Sequence, residues 1–144
     1  FHAYVQRRLE HVNPYTGRMA KDEPAILGWE SGNELTALED NAGGPPPAPW
    51  TRRLAAFVKS LDENHLFLDG AFGIDNTTLA SQDVDLHSNH YYGGNLPERL
   101  AVDAETCAAA GKPLVIGEFV TVWRESFLDE HRPVPATPVE DTTP

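Results

Sequence analysis

The fold class predicted for this chain is α/β with a parallel sheet, and three observations predict it. Short apolar runs read as buried strands at 25–29 (AILGW), 65–70 (HLFLDG), within 83–92 (DVDLHSNHYY) and at 114–119 (LVIGEF). Helical patterns stand between them, and strands alternating with helices pair in parallel through crossovers. Polar residues gather where the apolar runs stop, the place where parallel α/β folds carry their chemistry.

Taken in order, residues 1–12 (FHAYVQRRLEHV) read as a helix, with Tyr4, Leu9 and Val12 on roughly one side. NPYTG at 13–17 is turn chemistry. After KDEP, the run 25–29 leads into ESGNEL, and NAGGPPPAP at 41–49 is a loop. In WTRRLAAFVKSL (50–61), Leu54, Phe57, Val58 and Leu61 fall at helical spacing. ERLAVDAETCAAAG (98–111) predicts a helix stopped by Gly111. RPVPATPVEDTTP, at the end, is rich in Pro and Thr and lacks apolar periodicity.

Of the 144 residues, 22 are acidic and 11 basic, for a formal charge of -11. That balance repels phosphate backbones and anionic lipid, so neither nucleic acid nor membrane is an expected partner. Cys107 is the single cysteine, which excludes an intrachain disulfide and a thiolate metal cluster. Its AETCAAAG setting predicts a buried small hydrophobe. No apolar run reaches the ~18 residues of a membrane-spanning helix.

Two strand-end carboxylates, Glu34 and Glu118, stand 84 positions apart. Neighbouring parallel strands can converge such groups, and two carboxylates suffice to cleave a glycosidic bond. One protonates the leaving oxygen while the other attacks the anomeric carbon or activates water. Glu30 shares parity with Glu34 and reads as structural and charge-paired. His87 and His90 are three apart, which on a strand puts them on opposite faces, so no metal pair is expected. A metal-dependent hydrolase built on those histidines is the reading this spacing disfavours. Trp29 and His65 read as packing residues, and Trp50 as core or surface packing. Trp123, just past Glu118, is a candidate platform for a sugar ring.

The strings GWESGNEL (28–35), LHSNHYYGG (86–94) and PLVIGEF (113–119), in this order and separated by helices, resemble glycoside hydrolase family five. The nearest likeness is to its endo-β-1,4-mannanases, whose approach to the first string is similar to NPYTGRMAKDEPAILGWESGNEL. The resemblance covers about residues 1–120. It implies a (β/α)8 barrel and retaining cleavage of β-1,4-mannosidic linkages, with no cofactor or metal. It also implies a polysaccharide or oligosaccharide substrate and an extracellular, secreted setting. By that resemblance Glu34 is the general acid/base after the fourth barrel strand, and Glu118 the nucleophile on the seventh. Asn33 matches the asparagine that bonds the sugar 2-hydroxyl, and His90 and Tyr92 match an H-x-Y element in which the tyrosine holds the nucleophile. A β-1,4-glucanase, a β-mannosidase and a non-catalytic carbohydrate-binding relative remain alternatives.

Only strands four to seven of such a barrel are placed, because counterparts of the first three and the eighth are missing from the pattern. The expectation is an incomplete barrel over 1–128, with a Pro/Thr-rich tail or linker over 129–144, whose activity alone is doubtful. A barrel segment with unpaired strand edges is expected to be marginally stable or to associate.

Overall fold

A computed structural model of the chain describes residues 1–35, 49–92 and 95–120. Within them lie helix α1 (His2–Leu9), strand β1 (Gly28–Glu30), helix α2 (Trp50–Lys59), strand β2 (Leu66–Asp69), helix α3 (Asn76–Leu79), strand β3 (Leu86–Tyr91), helix α4 (Leu96–Ala109) and strand β4 (Leu114–Phe119). The strands form one sheet in the order β1-β2-β3-β4, and every pairing is parallel. Each strand therefore lies beside its successor in sequence, as the strand–helix alternation predicts.

Helix α2 shows why the layers hold. Thr51, Leu54, Ala55 and Val58 recur at i, i+3, i+4 and i+7 and are its buried residues. Leu54, Ala55 and Val58 pack with Leu9 of α1, Phe67 of β2 and Val84 into one core. Burying a side chain such as Leu54 or Phe67 contributes roughly 1.5–3 kcal/mol. Phe57, expected in that stripe, instead stacks on His2 of α1 with ring centroids 4.1 Å apart.

Helix α4 ends as its sequence predicts. Gly111 takes φ +69°, the left-handed conformation that glycine adopts without a Cβ penalty. The Lys112 amide then bonds the Cys107 carbonyl at 2.9 Å and the Gly111 amide bonds the Ala108 carbonyl at 3.0 Å, the paired bonds of a Schellman stop. Cys107 is buried. Among the described residues no helix is long and apolar enough to cross a membrane.

Several expectations need correction. Helix α1 stops at Leu9 because Val12 leaves to form an antiparallel bridge with Met19 across the Asn-Pro turn. Tyr4 and Val12 are exposed, so of the expected stripe only Leu9 is buried. The first strand runs over 28–30, not 25–29, because Pro24 opens a turn in which the Ile26 amide bonds the Glu23 carbonyl at 3.0 Å. Glu30 is exposed and has no ion pair among the described residues, where it ends β1, the first strand of the described sheet. Helix α3 was not anticipated; Asp75 caps it by accepting the Thr77 amide at 2.7 Å. Trp123 and the 129–144 tail lie outside the described residues.

A buried polar cluster closes the end of the sheet where β1 and β2 begin. Asp62 accepts from the Trp29 indole at 2.6 Å, from the Asn64 and His65 amides at 2.9 and 3.1 Å, and faces His65 Nδ1 at 2.8 Å. His65 Nε2 meets the Glu23 carbonyl at 3.0 Å. Trp29 and His65 are thus structural, as expected, and Trp50 packs against the core.

Candidate active site

The candidate groups sit where β1, β3 and β4 end. Glu34 lies in the loop after β1, with φ +50°, a left-handed conformation that costs a non-glycine residue on the order of 1–3 kcal/mol. That loop is tied to the loop after β2: the Leu35 amide bonds the Gly70 carbonyl at 3.2 Å and the Gly70 amide bonds Ser31 Oγ at 2.9 Å. The approach is so close that a Cβ on Gly70 would fall 1.9 Å from the Gly32 carbonyl oxygen. Local strain at Glu34 is sustained by this backbone clasp.

His90 on β3 is buried and directs Nδ1 at Glu34 Oε1, 2.8 Å away, with Glu118 Oε1 at 3.8 Å. The β3–β4 register shifts between Asn89 and His90. A Cβ on Gly117 would lie 2.8 Å from His90 Nε2, so the missing side chain on β4 leaves space for the imidazole. Tyr92 donates its hydroxyl proton to Glu118 Oε2. That bond, aided by partial burial and by the charges of Glu118 and Glu34, pushes the Tyr92 pKa up to about 12. Tyr92 therefore remains a proton donor throughout the neutral range.

Tyr91, the register rival of Tyr92, points the other way. It is fully buried and donates to Asp103 Oδ2 on α4 at 2.9 Å. Burial, then the Asp103 bond, pushes its pKa far above the usual phenol value. His87 is likewise on the helix side of β3, buried with Nδ1 3.9 Å from Asp69. Burial lowers its pKa, the Asp69 charge opposing that shift only in part. His87 and His90 thus do not converge, and the two-histidine metal arrangement is not formed.

Glu34, His90 and Glu118 present three ligand-type atoms, all within 4.8 Å of one another. They are the group among the described residues whose spacing could admit a cation. The same spacing serves carboxylate chemistry directly. Strands ~4.8 Å apart would put the first and fourth of a flat sheet ~14 Å apart, and a curled sheet brings groups that follow those strands within reach of one another. Asn33 is exposed beside Glu34. Asn89 and Asp103, behind His90, were missed at the level of sequence: neither stands in a pattern that distinguishes it from a solvated polar residue.

Residues 1–94 match the family model for glycoside hydrolase family 5 beta-mannosidase-like proteins. Mannan endo-1,4-beta-mannosidase 8 of Oryza sativa subsp. japonica is 32% identical over 93 residues, which is 62% of this chain and 25% of the relative. Mannan endo-1,4-beta-mannosidase 1 of Arabidopsis thaliana is 30% identical over 118 residues, 82% of this chain and 23% of the relative. The chain spans about a quarter of the length of these curated relatives. The endo-beta-1,4-mannanase of Thermotoga petrophila superposes with a TM-score of 0.65 at 27% identity, over 82% of this chain and 33% of that one. The endo-1,4-beta-mannanase of Rhizomucor miehei superposes with a TM-score of 0.70 over 82% of this chain and 43% of that one; at 23% identity that likeness speaks to the fold alone. The curled parallel sheet is accordingly an arc of the barrel these enzymes share, and the chain belongs to glycoside hydrolase family 5, on its beta-mannosidase-like side.

Proposed function

We propose that the protein is a retaining glycoside hydrolase that cuts β-1,4-mannosidic linkages within mannan-type polysaccharides. The observation that carries this reading is the meeting of Glu34 and Glu118, which follow the first and lie on the last of the described strands, with oxygens within 4.8 Å. Retaining enzymes hold their carboxyl groups ~5–5.5 Å apart, and inverting ones leave ~6.5–9.5 Å for a water. The spacing favours direct attack by a carboxylate.

In the proposed reaction Glu118 attacks the anomeric carbon while the glycosidic C–O bond breaks. Glu34 gives its proton to the departing oxygen. A water then loses a proton to the Glu34 carboxylate and attacks the same carbon, releasing Glu118. Tyr92 supports the assignment of Glu118 as nucleophile, because a phenol that keeps its proton orients the attacking carboxylate. His90 orients Glu34 from the other side. Asn33 is assigned to the sugar 2-hydroxyl, and Trp123 to stacking on a neighbouring ring. A polymer of this kind cannot cross a membrane, which supports a secreted setting.

The test is a hydrolysis screen on mannan, glucomannan and carboxymethyl-cellulose with the protein at its full natural length. NMR would follow the anomer that is released first. Preference for mannan with initial β-product is expected. Cleavage of cellulose alone would move the reading to a glucanase, and initial α-product would end the retaining mechanism. In the same assay, Tyr92→Phe is expected to lower kcat on the order of tenfold with little change in KM, because an orienting donor is lost. An unchanged kcat would remove Tyr92 from the mechanism.

A further inference from the structure

We propose that Asn89 and Asp103 are positioning residues that hold His90 on target from behind the sheet; this rests on the active-site reading above. His90 is the side chain that touches Glu34, yet it sits where the β3–β4 pairing slips by a residue. Bulges of this kind re-aim a side chain and disrupt the ladder that would otherwise fix it. The extra residue is Gly117 of β4, so the ladder is interrupted beside His90, and β3 is held there from its other side as well.

Asn89 does so with every polar group it has. It is almost fully buried. Its Oδ1 accepts the His90 amide at 2.7 Å and the Gly73 amide, also at 2.7 Å. Gly73 belongs to the loop after β2 and takes φ +86°, so this one oxygen joins that loop to the bulge. The Asn89 Nδ2 donates to Asp103 Oδ2 on α4 at 2.7 Å. The same Asp103 oxygen accepts the Tyr91 hydroxyl at 2.9 Å. Asn89 and Tyr91 flank His90 in sequence and face away from it. One carboxylate of α4 therefore grips β3 on both sides of His90, which leaves the imidazole projecting into the site. Asparagine suits this place because it both accepts twice and donates. Leucine, of similar size, would strand two backbone amides and take from the Asp103 carboxylate one of its two donors.

The experiment uses the protein at its full natural length and reads kcat, KM and melting temperature. Asn89→Leu is expected to lower kcat on mannan on the order of tenfold or more, with KM within about twofold, as expected for a misplaced catalytic contact. In a His90→Ala background the same change should lower kcat no further, because Asn89 acts through His90. An additive loss in the double variant, or full kcat in Asn89→Leu, would overturn the proposal. Asn89→Asp keeps both accepted bonds but sets a carboxylate against Asp103, and should be impaired. Adding Asp103→Asn restores a donor and acceptor between the two positions and should recover kcat to within about threefold. A swap no better than Asn89→Asp alone would also count against it.

One readout does not depend on turnover: the downfield NMR signal of the proton shared by His90 Nδ1 and Glu34, together with exchange rates of the His90 and Gly73 amides. Loss of that signal and faster exchange in Asn89→Asp, with recovery in the swap, support the clamp even if the unmodified protein cleaves no mannan. Unchanged signal and exchange sink it even if mannan is cleaved.

Discussion

Replacing Glu118 by glutamine is expected to lower kcat on mannan by on the order of 10⁴-fold or more, while binding of mannooligosaccharide persists. The amide keeps the shape of the side chain and still meets Tyr92, but it cannot form the glycosyl ester through which retaining cleavage proceeds. Replacing Glu34 separates the two steps. Glu34→Ala should abolish cleavage of mannan, whose leaving oxygen needs a proton. An aryl mannoside with an acidic phenol leaves without that help, so its first step should remain fast and release a burst of phenol. Azide, which needs no general base, should then restore turnover and yield the β-mannosyl azide. Measured kcat near that of the unmodified protein in either variant would show that these carboxylates do not do the chemistry. An inverted azide product would show that no intermediate forms on Glu118.

The second large effect concerns stability. Asp62→Ala is expected to destabilise the protein by about 3 kcal/mol or more, because an indole N–H and two backbone amides lose a buried acceptor. Melting temperature should fall on the order of 10 °C. The same cluster sets a pH window. Both nitrogens of His65 face acceptors, a carboxylate oxygen and a backbone carbonyl, and only the doubly protonated ring can donate to both. Burial alone would lower the His65 pKa, but the Asp62 bond, the Glu23 carbonyl and the Asp62 and Asp22 charges outweigh it and raise it above 6.5. Burial likewise works to raise the Asp62 pKa, and the Trp29 and His65 bonds outweigh it and lower it below 3.8. The His65 contribution is thus complete below about 6.5 and is lost as pH rises through its folded value. The Asp62 contribution is complete above about 3.8 and is lost as pH falls through its folded value. Urea midpoints measured against His65→Gln, which controls for the protein's general charge, should show the largest advantage between those limits. An advantage that grows from pH 6 to pH 9 would refute a charged His65.

What could be read from the sequence followed periodicity. β4 matches its apolar run residue for residue, and α2 and α4 lie within two residues of their expected ends. β1 slipped because Pro24 imposes a turn inside an apolar run, and α3 escaped because four residues carry no period. The candidate residues that stand in strings, Glu34, His90, Tyr92 and Glu118, are brought together in space. The supports were not legible in the sequence. Asp62 with Trp29, and Asn89 with Asp103, are partners 33 and 14 residues apart, joined only by folding. Polar residues of that kind look the same on paper whether they face water or close a buried bond.

Glu34 follows β1 and Glu118 lies on β4, the first and last of the four described strands, and that placement has a mechanical consequence. Their gap adds up the small rotations between all four strands, much as the tips of a fan move farther than its ribs. A few degrees of flattening at each pairing would part the tips by several ångströms while leaving every ladder bond intact. In the proposed hydrolase the rate is therefore expected to register the bend of this sheet. Substitutions on the outer helices, far from any sugar, have a route to the rate through that bend alone.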